Sequence, residues 1–183
     1  EGDTGLIMDI TGCSHLFGGE DKMLNHILLA YDELGLTTKI GCADTVGAAW
    51  ALSRYSEKTL QNYRNGNAIE QEARATRSRS AKRTFKDIPN NFKITKSSKY
   101  FIAPPGKIRQ SISNFPVAAL RLEIQTQNTL AQLGLRQIGD IINQPRASLN
   151  RRFGLSLLKR VDQALGNLPE PISPLQPELN FGV

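Results

Sequence analysis

The chain has 183 residues, of which 39 % are hydrophobic and 22 % charged, and its formal net charge is +6. This composition is ordinary for a soluble globular protein of one compact domain or two small ones. No apolar run approaches the roughly 20 residues that span a bilayer, and no signal peptide is visible. The basic balance favours a polyanionic partner, although a solvated basic surface explains it nearly as often.

The first predicted element is a buried strand at 6–10, which is apolar except for Asp9. Turn residues end this run at Thr11-Gly12 and again at Gly18-Gly19. A lone carboxylate at the end of a buried strand needs a partner. Asp9 is therefore predicted either to cap the following turn or to lie near a functional cleft.

A helix is predicted next, because apolar residues recur at helical spacing from Met23 to Leu34. Glu20 and Asp21 suit its amino terminus, and Gly35 suits its end. Since the chain opens at Glu1 and runs almost directly into a strand, we expect it to be a fragment of a longer protein.

A second strand is predicted at 37–43, followed by a helix that Asp44-Thr45 caps and that ends near Tyr55. Small side chains at 47–49 let this helix lie close to a sheet. The order strand, helix, strand, helix predicts half of an α/β or ferredoxin-like layer whose sheet is covered on one face.

The spacing of the cysteine and histidine residues predicts no metal site. Cys13 and Cys42 are the only cysteines, and both lie in or beside predicted strands, so we expect reduced, buried thiols. His15 and His26 have no Cys or His neighbours at ligand spacing.

The stretch 56–99 is rich in Lys and Arg and poor in apolar residues. Such composition predicts a flexible basic insertion, with a short helix possible within 57–74. One hypothesis is that it contacts phosphates, and the other is that it is a solvated linker. Strand character returns at 100–103.

The last third of the chain predicts paired short helices. Helices are expected at 125–133 and 137–143 around Gly134, and again at 145–152 and 155–165 around Phe153-Gly154. After Gly166 the chain is rich in Pro, so 169–183 is predicted to be an extended linker.

Two helix–turn–helix units in succession suggest DNA binding, because their backbone N–H groups and nearby cations can hold phosphates without reading sequence. Packing of the helices alone is the competing interpretation. The candidate DNA-binding residues are Gly134, Arg136, Gly139, Arg151, Arg152, Lys159 and Arg160.

The stretch Gly2 to Thr11 resembles the second palm motif of Y-family (DinB/UmuC-like) lesion-bypass DNA polymerases. Asp9-Ile10-Thr11 matches the end of that motif, but Thr4 and Gly5 stand where active members carry an adjacent Asp-Glu pair. The longer phrase from Asp9 to Glu20 resembles a narrower group, the ImuB-type proteins, which are Y-family relatives without polymerase activity.

Two other stretches carry the same resemblance. Gly41 to Trp50 keeps the frame of a family segment whose lysines lie near phosphates, but Val46 and Trp50 occupy the lysine positions. Leu133 to Asp140 is similar to the family's thumb, as is Arg152-Phe153-Gly154. Leu122 to Thr126 lacks the glycines that let backbone approach phosphate in active members.

The resemblance implies an α+β fold: a partial palm at 1–114, with a ferredoxin-like sheet, covering helices and the basic insertion, and then a helix–hairpin–helix thumb at 115–168. The linker at 169–183 would lead to a little-finger domain. Its Gln176 to Phe181 loosely matches a sliding-clamp ligand pattern.

Two-metal nucleotidyl transfer needs grouped carboxylates, which Thr4 and Gly5 cannot supply. We therefore expect no polymerase activity, no catalytic or metal-binding residues and no cofactor. Mg²⁺ is expected only under the alternative of an active Y-family polymerase with unusual ligands.

The resemblance also implies a role and partners. The role is that of an adaptor in damage-induced (SOS) mutagenesis and translesion synthesis in the bacterial cytoplasm, at the nucleoid. The partners are primer–template DNA, the sliding clamp, a C-family error-prone polymerase subunit and a RecA-like accessory protein, with no membrane. A generic helix–hairpin–helix DNA-binding module is the second alternative.

Overall fold

A short parallel sheet joins two segments that are far apart in the sequence. The computed structural model describes residues 5–64 and 99–174, without the side chains of 58–64. Strand β1 (Ile40–Cys42) pairs in parallel with strand β2 (Tyr100–Ile102). Parallel strands need a long crossover connection, and the one here begins with a long helix.

Helices make up most of the rest of the described chain, and together with the parallel sheet they confirm the α+β class. Single turns of 3₁₀-helix lie at Ser14–Phe17 and Val117–Leu120. The α-helices are α1 (Glu20–Glu33), α2 (Val46–Arg64), α3 (Ile108–Ile112), α4 (Ile124–Gln132), α5 (Ile138–Ile142) and α6 (Arg146–Leu165). No helix in the described ranges is both long and apolar enough to cross a membrane.

Helices cover both faces of the sheet, so the expectation of one covered face is wrong. Side chains alternate along a strand, and Tyr100 lies in a buried cluster with Met23 and Leu28 of α1. Its neighbour Phe101 belongs to a different cluster, which contains Leu52 of α2. The two helices therefore sandwich the strands.

The contact between β1 and α2 is unusually close at Gly41. A Cβ atom added there would lie 2.1 Å from the carbonyl oxygen of Ala49 and 2.6 Å from the backbone nitrogen of Ser53. Both neighbours are backbone atoms of α2, so they cannot rotate away. Only glycine lets this helix rest on this strand.

The predicted strand at 6–10 is wrong. The segment is not part of a sheet, and Leu6, Ile7 and Met8 are 60 %, 51 % and 49 % exposed. An apolar strand is stable only between neighbours that cover it. Among the described residues β1 pairs only with β2, so no neighbour is present for this segment.

Asp9 stabilises a turn. Its Oδ1 accepts a hydrogen bond of 2.9 Å from the backbone N–H of Thr11. Bonding to Thr11 stabilises the charged carboxylate and lowers the pKa of Asp9. Of the two interpretations offered by the sequence, the structure confirms the capping of the turn.

Helix α2 continues beyond its predicted end near Tyr55 and reaches Arg64. The expected flexible insertion at 56–99 therefore begins with helix, and its residues 65–98 lie outside the described part of the chain. The predicted helix ended too early because Ser56 is polar and interrupts the apolar pattern. In the structure its hydroxyl is buried and donates to the Leu52 carbonyl oxygen at 2.7 Å. A small polar residue satisfied in this way does not interrupt a helix.

The carboxy-terminal helices pack directly on α2. Thr45 caps α2, since its Oγ1 accepts the N–H of Ala48 at 3.2 Å, and it donates to the Ala164 carbonyl oxygen at 2.9 Å. A Cβ atom on Gly47 would lie 3.0 Å from the Cα of Ala164. One buried cluster includes residues from both sides of the boundary expected at 114/115, and the division into two domains remains a prediction.

The cysteines are free and half-buried. Burial, with smaller contributions from Glu20 and Asp44, raises the pKa of the Cys42 thiol to about 11. Cys42 therefore remains a protonated thiol at neutral pH.

Candidate nucleic-acid interface

Two pairs of helical segments, named here the first and the second hairpin, form the candidate interface. In the first, α4 is followed by Gly134 (φ +79°) and then by α5. In the second, Gly154 (φ +74°) divides α6 into two helical parts. Glycine adopts this left-handed conformation without the clash that a Cβ atom would cause. The four helical segments expected at 125–165 are confirmed.

In the first hairpin, the backbone donors before α5 bind a side chain of the helix itself. Oδ2 of Asp140 accepts the N–H groups of Arg136 at 3.0 Å and of Gln137 at 2.9 Å. The carboxylate also places a negative charge at the positive end of α5. These N–H groups therefore already have an acceptor, and they could bind a phosphate only if their hydrogen bonds to Asp140 broke.

The next two donors of α5 bind other backbone. The N–H of Ile138 donates to the Phe115 carbonyl oxygen at 2.9 Å, and that of Gly139 donates to the Ser113 carbonyl oxygen at 2.7 Å. A Cβ atom on Gly139 would lie 3.0 Å from that same oxygen. The structure thus places Gly139 in a packing contact, and its N–H is not open to a phosphate.

Asp140→Ala is expected to lower the free energy of unfolding by about 1 kcal/mol, because two backbone donors lose their acceptor. Urea unfolding measures this loss. A variant as stable as the wild type would contradict the capping role of Asp140.

The second hairpin carries cationic side chains that form no ion pair with the described residues. Arg151, Arg152 and Lys159 are exposed, and within 5–64 and 99–174 the structure shows no ion pair for them. The tip of this hairpin also exposes Leu155, at 72 %. Arg136, in the first hairpin, has an exposed side chain as well, although its N–H is bound to Asp140.

A cleft separates the two hairpins. Leu133, Leu135 and Phe153 supply an apolar wall, while Arg151 and Arg152 lie at its border. No carboxylate lines it among the described residues. Since anions prefer a surface where fixed positive charge is not neutralised, this cleft is a candidate place for a phosphate.

Other arginines are paired within the protein. Arg146 makes two hydrogen bonds to Asp162, at 2.9 and 2.6 Å, which lower the pKa of that carboxyl group. Arg160, which the sequence placed among the DNA-binding residues, contacts Glu170 at 3.2 Å. In this structure the guanidinium of Arg160 is therefore occupied by a carboxylate.

Sequence reasoning missed Arg121 and Glu170. Nη2 of Arg121 donates to Oε2 of Glu170 at 2.7 Å, and its guanidinium lies 5.5 Å from the centre of the Trp50 ring. Arg54 lies on the same ring at 5.2 Å. No local pattern signals the contacts of Arg121, because Trp50 and Glu170 are both far from it in the sequence.

The described residues do not fit a pair of catalytic metal ions. Gly5 has no side chain to offer, and the Asp9 carboxylate is bonded to Thr11. Within the described ranges, no group of three or more His, Cys, Asp or Glu side chains could hold a metal ion. Asp3 and Thr4 lie outside those ranges.

Comparison with known proteins identifies relatives in one bacterium. The chain is 34 % identical over 173 residues to Protein ImuB of Caulobacter vibrioides, in strains NA1000 and ATCC 19089. The match covers 94 % of this chain and 29 % of each relative, so the chain spans less than a third of their length. No family model and no solved structure matches. Over nearly its whole length the chain is therefore related to a segment of Protein ImuB, which confirms the resemblance to ImuB-type, Y-family-like proteins that its motifs indicate.

Proposed function

We propose that this chain is the DNA-contacting part of a non-catalytic adaptor in damage-induced mutagenesis. The observation that carries the proposal is the pair Arg151 and Arg152, exposed beside the left-handed turn at Gly154 and without a carboxylate partner in the described part of the chain. Cations beside such a turn bind backbone phosphates and do not read bases. The contact would therefore be independent of the DNA sequence.

The two hairpins have different roles in this proposal. The first is a structural unit, because Asp140, Phe115 and Ser113 occupy its amino-terminal donors. The second, with Arg151, Arg152 and Lys159, faces the phosphates. The α1–sheet–α2 layer would be part of a ferredoxin-like palm, and the paired helices would form a helix–hairpin–helix thumb.

The relationship to ImuB and the replaced acidic pair at Thr4 and Gly5 support the proposed adaptor role. Without grouped carboxylates the protein would hold DNA and leave synthesis to a separate enzyme. Its proposed partners are the sliding clamp, a C-family error-prone polymerase subunit and a RecA-like accessory protein, with the chain at the nucleoid.

A salt titration tests the DNA contact. The chain is titrated against fluorescent primer–template DNA at increasing KCl, and log affinity is plotted against log salt. Three cations on the second hairpin form no ion pair with the described residues, so we expect a slope of about −3, since each phosphate contact contributes roughly −0.9. Binding that does not weaken with salt would contradict the phosphate contact.

Affinity purification of the full-length protein from DNA-damaged cells tests the adaptor role. We expect the clamp and an error-prone polymerase subunit to be recovered after nuclease treatment, which removes partners bridged by DNA. Recovery of neither would contradict the adaptor role and would favour the generic DNA-binding module, since the salt titration does not depend on partners.

A further inference from the structure

The carboxylate of Glu170 forms salt bridges with two arginines that come from different parts of the chain. Arg121 follows the 3₁₀ turn at Val117–Leu120, and Arg160 lies on α6. They contact separate oxygens of the carboxylate, at 2.7 and 3.2 Å. The Glu170 side chain is only 12 % exposed. This arrangement is a small anion-binding site that the protein fills with its own side chain.

Arg121 has contacts other than the one with Glu170. Its backbone adopts φ +54°, a left-handed conformation that is uncommon for a residue with a Cβ atom. Its guanidinium lies over the Trp50 ring, and its Nε is buried without a hydrogen-bond partner among the described residues.

The segment that carries Glu170 is weakly attached elsewhere. Leu168 and Ile172, on either side of Glu170, are 39 % and 48 % exposed, so neither is fully buried in the core. The hydrogen bonds of Asn167 and Leu168 to Asp162 belong to the end of α6 and do not fix residue 170. Within the described part of the chain, the two arginines are the polar contacts that hold Glu170 against the protein.

We propose that Arg121 and Arg160 form a second phosphate-binding site, which Glu170 keeps closed until a DNA phosphate displaces it. A phosphodiester presents two non-bridging oxygens that share one negative charge, as the oxygens of a carboxylate do, and it binds guanidinium groups bidentately. The salt bridges of Glu170 lower the affinity for DNA, because only the fraction of molecules in which Glu170 has left the arginines can bind the phosphate there. This inference rests on the proposed function, since the displacing phosphate belongs to the DNA bound at the second hairpin.

Glu170→Gln is the variant that opens the site, and Glu123→Gln is its matched control. Glu123 is exposed and makes no ion pair with the described residues, so its replacement changes the charge equally without freeing an arginine. We expect Glu170→Gln to bind primer–template DNA about three- to tenfold more tightly than Glu123→Gln at the same salt concentration. Adding Arg160→Gln to Glu170→Gln should abolish the gain.

Trp50 reports the site independently, because it is the only tryptophan in the chain. We expect wild-type emission to change when DNA binds, and the emission of free Glu170→Gln to differ from the wild type already. Equal affinities and equal spectra for the Glu170 and Glu123 variants would overturn the closed site while leaving the second hairpin's contact intact. Absence of DNA binding by the wild type and by Glu170→Gln would overturn both proposals.

Discussion

Gly41→Ala is expected to lower the free energy of unfolding by more than about 3 kcal/mol, enough to unfold a domain of ordinary stability in part of the population. The added Cβ would lie 2.1 Å from the Ala49 carbonyl oxygen, so α2 must move away from β1. That movement opens the core around Leu52, which is fully buried. Urea unfolding followed by circular dichroism measures the loss.

Gly5→Ala is the matched control, because a Cβ atom on Gly5 would meet nothing within 4 Å. Its free energy of unfolding is expected to stay within about 0.5 kcal/mol of the wild type. If Gly41→Ala is as stable as this control, α2 does not rest on β1 as closely as the structure places it.

The double variant Arg151→Gln/Arg152→Gln is expected to weaken binding of primer–template DNA about tenfold or more near 100 mM salt. Its salt slope should be shallower by about two, because two phosphate contacts are lost. Since both side chains are exposed, unfolding by urea should be unchanged. Fluorescence anisotropy across a KCl series measures affinity and slope together.

Lys22→Gln/Lys107→Gln removes the same charge from two other exposed positions, one in α1 and one just before α3. We expect this control to change the slope by much less than the arginine double variant. Equal losses for the two double variants would show that binding depends on net charge and not on the second hairpin.

Most helices could be predicted from the sequence because their signals are local. The expected segments at 125–165 match α4, α5 and the two parts of α6, with turns at Gly134 and Gly154. The strand at 6–10 could not be predicted in this way, since an apolar run becomes a strand only beside a partner. The end of α2 was missed because Ser56 is satisfied by a bond within the helix.

The candidate site was only partly predictable for a related reason. A sequence shows where cations are, and Arg151 and Arg152 are indeed exposed. It does not show which donors and cations are already used by distant groups. The Ser113 carbonyl oxygen binds the N–H of Gly139, and Glu170 binds Arg121, a residue 49 positions away.

Primer extension with the full-length protein tests most directly the claim that this ImuB relative binds DNA without catalysing synthesis. Labelled primer–template is incubated with the protein, deoxynucleotides and either Mg²⁺ or Mn²⁺, and binding is measured in the same buffer. The account predicts binding with no extension of the primer. Incorporation that is abolished by Asp3→Ala or by Asp9→Ala would contradict it.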